Sequence, residues 1–403
     1  MLKNIRRSFS FLPQDIVIVA AKRTPIGSFM GSLSTVTAPQ LAATAIKAAL
    51  GQASINPDQV TEVIMGHVLS AGVGQAPTRQ AALFAGLRHS TVCTGVNKVC
   101  SSGIKSITLA AQGISLGHSD IVVAGGMENM SLAPFLLPNY RTGQLMGDSV
   151  VVDSITHDGL LCPFSKSMMG SCAEKTATKY EITRENQDEY CISSYNRAAE
   201  AWKRGFFASE VVKVEVQSKR GNFSFEEDEE YKKVKFDKIP SLKPVFEKNG
   251  TITAANASSI NDGACALILM TADKARNLGI KPLARVLAYA DSEIEPVHFS
   301  VAPKDAIMLA LERAQINKGR VDLFEINEAF SSVPIANMKL LGLDPRIVNV
   351  NGGAVSFGHP LGMSGARIVT TLIYALREQN KKLGVAGICN GGGGATAIVI
   401  EAI

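Results

Sequence analysis

Cysteine and tryptophan are scarce: the 403-residue sequence holds seven cysteines and one tryptophan. Seven is too few and the wrong parity for a disulfide framework. No two cysteines stand in C-x-x-C spacing, which argues against a zinc ribbon or a thioredoxin-like centre. Free thiols in a reducing compartment are expected, with Cys93, Cys162, Cys172, Cys191 and Cys265 read as small buried residues. No run approaches the roughly 18 apolar residues of a membrane-spanning helix. The net charge of +5 comes from 41 basic and 36 acidic residues. Without a concentrated basic stripe it suits a small anionic ligand better than a nucleic acid. The first 14 residues, "MLKNIRRSFSFLPQ", hold no acid but Lys3, Arg6 and Arg7. That is the composition of a mitochondrial transit peptide, so 1–14 is set apart from the fold and a matrix location is expected.

With 46% hydrophobic residues the rest supplies an ample interior. "DIVIVAA", "VTEVIMGHVL" and "SDIVVAGGMENM" are β-branched runs bounded by polar or turn residues. Helical patterns lie between them, such as "APQLAATAIKAAL", with Thr37 as a cap and Pro39 in the first turn. Strand alternating with helix predicts a mostly parallel sheet covered on both faces. From about Ser131 to Pro244 the texture changes to Pro- and Met-rich loops, a long helical stretch and a charged run. The acidic cluster Glu226 to Glu230 reads as a solvated surface. The neighbouring Lys232, Lys233, Lys235 and Lys238 read either as bland surface or as phosphate contacts. The first texture then resumes with similar spacing: 34 residues from Gly66 to Cys100, and 32 from Asn327 to His359. An internal duplication would bring equivalent strand ends into one cleft.

The chemistry sits at those strand ends. Cys100, in "NKVCSSGIKS", precedes a helical pattern; a helix N-terminus favours the thiolate, and Ser101, Ser102 and Gly103 read as clearance for an acyl group. His359, in "NGGAVSFGHPLGMSGAR", is placed to act as its base, whereas His67, His89, His118, His157 and His298 read as structural. Cys389, before the glycine run Gly391 to Gly394, is a second acid/base. Asn327 of "NEAF" suits the orienting of a water. One nucleophile with two bases points to carbon–carbon chemistry through a thioester, because a condensation must also remove an α-proton.

Together "NKVCSSG", "NEAF", "NGGAVSFGHPLGMSGAR" and "CNGGGG" resemble the signature set of the thiolases, as do "SLKPVFEKNGTITAANASSINDGA" and "MGSCAEKTA". The likeness runs from Asp15 to the last residue and is strongest to the mitochondrial short-chain members, which act on acetoacetyl-CoA. It implies two similar α/β halves with mixed five-stranded sheets covered by helices, plus an inserted loop domain. The expected segments are 15–130 with 245–280 for the N-terminal domain, 131–244 for the insertion that binds coenzyme A and mediates assembly, and 281–403 for the C-terminal domain.

The resemblance further implies acylation of Cys100 with His359 as base, and proton transfer at the substrate α-carbon by Cys389. Two oxyanion holes follow, one from His359 with a water on Asn327, the other from the N–H groups of Cys100 and Gly391. Coenzyme A, as substrate, is expected near Ser258, Phe246, Lys233, Val234, Lys235 and Lys238, and a potassium ion near Tyr195, Ala254, Ala255, Ala257 and Val355. Neither a redox cofactor nor a nucleic-acid or membrane partner is implied, and a homotetramer is. Met168 stands where many short-chain members carry a histidine bordering the acyl pocket, which bears on acyl preference. The neighbouring reading is a broader-chain 3-ketoacyl-CoA thiolase.

Overall fold

The computed structural model describes residue 12, residues 14–218 and residues 221–403. The transit-peptide segment falls outside the described residues apart from Leu12 and Gln14.

Among the described residues nine main strands form the sheet: β1 (Ile16–Arg23), β2 (Glu62–Gly66), β3 (Val92–Val96), β4 (Val122–Asn129), β5 (Asn261–Thr271), β6 (Ala284–Glu293), β7 (Leu323–Ile326), β8 (Leu383–Asn390) and β9 (Gly394–Ala402). Their spatial order is β7-β8-β9-β6-β1-β5-β4-β2-β3, with the short Gly27–Ser28 stretch paired to β5. Outward from β1 the senses run antiparallel to β5 and β4, then parallel to β2 and β3. Outward from β6 they repeat: antiparallel to β9 and β8, parallel to β7, then a parallel bridge from Phe324 to Val348. The two halves thus share one topology, as the spacing of landmarks suggested. They join edge to edge through two residue pairs, Val17 with Arg285 and Ile18 with Ala284. The mostly parallel sheet expected from strand–helix alternation is not found; the parallel pairings are β2–β3, β2–β4 and β7–β8, and the long central strands run antiparallel. Periodicity records burial on both faces but not direction.

Helix α1 (Ala38–Ala53) begins at Thr37, whose backbone N–H donates to Gln40 Oε1 at 3.0 Å. It packs on the outer face of the first half, and α5 (Ala302–Ala314) does the same on the second. Between the halves lie α2 (Ser102–Ser115) and α6 (Leu361–Glu378), packed on each other and on strands of both. Helix α6 is buried on every side from Leu361 to Leu376, as a helix enclosed by two sheets must be.

The segment between β4 and β5 carries α3 (Met169–Lys179), α4 (Arg184–Lys203) and two small hairpins, Phe135–Leu136 with Val152–Asp153 and Val214–Val216 with Phe223–Phe225. The acidic cluster within it is not simply a solvated surface. Asp228 is fully buried and clamps Arg23 at 2.8 and 3.0 Å, while also accepting from the Ile26 N–H at 2.7 Å. Glu210 takes the third face of that guanidinium at 2.6 Å. The desolvation cost of Arg23 is offset because each donor edge finds a carboxylate or carbonyl, and this fastens the segment to the end of β1. Among the described residues no helix is long and apolar enough to cross a membrane.

Candidate active site

The chain passes from β3 to α2 through a tight turn in which Val99 takes φ +46°. A β-branched residue is strained there, and the turn is held by Ser102, whose Oγ accepts from Lys98 N–H at 2.8 Å and donates to Val99 O at 2.6 Å. Cys100 follows at the mouth of α2. The serines are not clearance for a ligand. Both are fully buried, and Ser101 Oγ reaches across to β8, 2.8 Å from Asn390 Oδ1 and 3.2 Å from Ile388 O. Gly103 does serve close approach, because a Cβ there would lie 2.5 Å from Ala366 N in α6.

His359 hangs on a turn that only glycine can lead into: Gly358 sits at φ +101°, and a Cβ there would collide with Asn261. Asn261 Oδ1 accepts the His359 N–H at 3.0 Å, fixing the turn to β5. The imidazole Nδ1 lies 2.6 Å from Ser364 Oγ, while Nε2 is buried and has no partner among the described residues.

Cys100, His359 and Gly391 line one narrow cavity of about 90 Å³. Its walls are mostly apolar, from Leu160, Met168, Met169, Phe246, Phe299 and Phe330. Burial pushes the Cys100 thiol up to about 12, although the N–H groups of Gly391 and of Cys100 itself point at the sulfur and pull the other way. The thiolate expected from helix position is therefore not the resting form; desolvation outweighs the two donors. Burial, and then the Arg367 guanidinium, holds His359 down at about 3. A neutral thiol thus faces a neutral imidazole. Cys389, fully buried near the end of β8, has its thiol pushed well up by burial and then by the proximity of Cys100.

Asn327, buried at the end of β7, has both Oδ1 and Nδ2 without a partner among the described residues. A buried amide in that state costs about 1–3 kcal/mol, which fits a group awaiting a water or ligand. Its neighbour Glu328 is a structural hub. It accepts from Tyr190 OH at 2.8 Å, Ser194 Oγ at 2.7 Å, Asn349 Nδ2 at 3.0 Å and the Val355 N–H at 3.1 Å. Glu128 plays the same part on the other side, joining the Val68 and Leu69 N–H groups to the Gly362 N–H at the start of α6.

A family model described as "Thiolase, N-terminal domain" matches residues 16–273, and one described as "Thiolase, C-terminal domain" matches residues 280–402. The chain belongs to the thiolase family. It is 50% identical over 404 residues to a human protein named "Acetyl-CoA acetyltransferase, mitochondrial", covering 99% of this chain and 94% of that one. It is 52% identical over 388 residues to a cytosolic acetyl-CoA acetyltransferase of Gibberella zeae, with 96% and 98% covered. Among solved structures, the Acat5 thiolase of Ascaris suum in complex with coenzyme A superposes with a TM-score of 0.91 at 46% identity, covering 96% of this chain and 100% of that one.

In this thiolase Phe246 and Ser258 line the cavity, but the Ser258 hydroxyl is already donated to Ala329 O at 2.8 Å. The lysines lie away from the cavity. Lys233 is bonded to Ser28 Oγ and sits 3.4 Å from Glu230, Lys235 and Lys238 are exposed, and Val234 packs against the buried cluster of Cys191, Tyr195, Ile239, Ala255 and Val355. That cluster gathers three of the residues expected around potassium. Of the others, Ala257 pairs with Phe330 and Ala254 is exposed. Sequence reasoning missed Ser364, Asn261, Glu128 and the cavity walls Gly159, Leu160, Met169 and Gly170, whereas Met168 lines the cavity as the resemblance implied. "GHPLGMSGAR" did carry a signal for Ser364, which stands one helical turn beyond Pro360.

Proposed function

We propose that the chain is an acyltransferase that interconverts acetoacetyl-CoA plus coenzyme A with two molecules of acetyl-CoA, through an acetyl group carried on Cys100. The observation that carries this reading is the convergence of Cys100, His359 and the Gly391 N–H on one cavity, with the buried Cys389 close enough for Cys100 to raise its pKa. Full-length identity of about half to acetyl-CoA acetyltransferases supports it.

In thiolysis the Cys100 sulfur adds to the C3 carbonyl as His359 takes its proton, and the oxyanion is met by N–H donors that need no reorganisation. The C2–C3 bond breaks, its electron pair goes to the departing acetyl-CoA enolate, and Cys389 supplies the proton that quenches it. The resulting Cys389 thiolate accepts the proton of an incoming coenzyme A thiol, whose sulfur attacks the acetyl-Cys100 thioester. Cys100 then regains its proton from His359. Asn327 holds the water of the oxyanion site facing the enolate. A buried thiol–imidazole pair stays neutral until substrate arrives, so charge forms only where donors await it.

The coenzyme A arm runs past Phe246 and Ser258, with the 131–244 segment supplying the adenosine side near Lys233, Val234, Lys235 and Lys238. Support comes from the cavity lining and from the coenzyme A complex of the Ascaris relative. A potassium ion would be held by Tyr195 and the carbonyls of Ala254, Ala255, Ala257 and Val355; oxygen donors suit a hard monovalent cation, which would brace the loops beside the cavity. Assembly as a homotetramer is supported by the apolar hairpin region, where Phe135, Leu145, Met146 and Val150 are 68%, 101%, 86% and 75% exposed. The basic, acid-free N-terminus and the mitochondrial relatives favour the matrix, although the Gibberella relative is cytosolic. A spectrophotometric thiolysis assay with acetoacetyl-CoA, with and without potassium, tests the activity; no cleavage at any coenzyme A concentration would sink it.

A further inference from the structure

We propose that Ser364 is a positioning residue that holds His359 as its Nδ1–H tautomer, so that Nε2 is the atom that takes and returns the Cys100 proton. This rests on the thiolase reading of the site and goes beyond it by assigning the second partner of the base.

The argument is one of counting protons. A serine hydroxyl has one proton to donate and two lone pairs with which to accept. Ser364 Oγ lies 2.9 Å from Pro360 O and 2.6 Å from His359 Nδ1. Pro360 O is only an acceptor, so the hydroxyl proton goes there and the short contact to the ring is made by Nδ1–H donating to Ser364 Oγ. A neutral imidazole carries one N–H, which leaves a lone pair on Nε2. That nitrogen is buried without a partner among the described residues, and His359 lines the cavity with Cys100.

The reverse assignment, with Ser364 donating to Nδ1, would put an Nε2–H beside the thiol and leave no ring nitrogen to accept the S–H proton. Only the first arrangement presents an acceptor to the S–H. The device is built from neighbouring residues of one helix start, because Ser364 N–H also donates to Pro360 O at 3.0 Å and pins its own backbone.

A neutral orienter has a chemical consequence. Where a carboxylate holds the far side of an imidazole, the imidazolium is stabilised as a lasting ion. A serine fixes direction without supplying charge, and the nearby Arg367 opposes a positive ring. The proton taken from Cys100 as the S–C bond forms is therefore held on the ring without a paired carboxylate and handed back when that bond breaks.

The experiment uses the full chain labelled with ¹⁵N-histidine, with His359 assigned by comparison with His359→Gln. Long-range ¹H–¹⁵N correlations are expected to show protonated Nδ1 in the parent protein; a protonated Nε2 there would overturn the proposal without any variant. Ser364→Ala is expected to shift the ring toward Nε2–H and slow single-turnover acetylation of Cys100 by about 100-fold with little change in KM. Ser364→Thr, which keeps the hydroxyl, should restore the tautomer and most of the rate. Acetylation of Ser364→Ala at the parental rate would refute the assignment. An unacetylated Cys100 in the parent protein would instead refute the thiolase mechanism, while the tautomer spectrum would still decide the role of Ser364.

Discussion

Ser101 Oγ and Asn390 Oδ1 lie 2.8 Å apart, and that bond ties the turn bearing Cys100 in the first half to the strand bearing Cys389 in the second. The two thiols come from opposite copies of one topology, so their separation depends on such links more than on either half alone. Ser101→Ala would strand a buried amide oxygen, at about 1–3 kcal/mol. The expected outcome is a lower urea midpoint together with a fall in kcat larger than the change in KM for either substrate; an unchanged kcat would show that the link is structural only.

The Asn327 amide has no hydrogen-bond partner among the described residues, as the proposed oxyanion site requires. Asn327→Ala should lower kcat by about 100- to 1,000-fold, the scale of removing one oxyanion donor, without destabilising the fold, since no protein partner loses a bond. Steady-state kinetics and a urea titration on the same preparation check both halves of that statement.

The acid limb of the reaction should be flat where an ordinary histidine titrates. Burial disfavours the charged imidazolium, so the pKa moves down from about 6.5 to about 3. His359 then remains an available base as pH falls through 6.5. Single-turnover acetylation of Cys100 is expected to change less than about twofold between pH 5 and 8; a tenfold loss centred near 6.5 would contradict the neutral, enclosed pair.

Met168, Phe246 and Phe299 narrow the cavity to about 90 Å³. kcat/KM should therefore fall steeply from four-carbon to longer 3-ketoacyl-CoAs, and Met168→Ala should flatten the dependence. A preference for long chains in the parent protein would favour the broader-chain reading.

Part of the candidate site was legible in the sequence because its residues sit in turns where glycine marks close approach. Cys100 and His359, which line one cavity, stand in such turns, and the spacing of Gly66, Cys100, Asn327 and His359 foreshadowed the repeated topology. Other features left no local trace. Strand direction is set by partners far along the chain, so the antiparallel centre was missed. Asp228 stands in an acidic run that looks solvated, and only the fold brings Arg23 to it. The serines after Cys100 look like small residues making room, whereas their hydroxyls hold the turn and the opposite strand. The thiol's character was misjudged for a related reason: a helix N-terminus is visible in sequence, but the enclosure that outweighs it is assembled from loops between 159 and 170 and from Phe299.

The most direct measurement is peptide mass spectrometry after brief exposure to acetoacetyl-CoA without added coenzyme A. The mechanism predicts acetyl on Cys100 in the parent protein, much slower acetylation in Cys389→Ala, which lacks the acid that quenches the departing enolate, and none in Cys100→Ser. Acetyl found on another residue, or retained by Cys100→Ser, would contradict it.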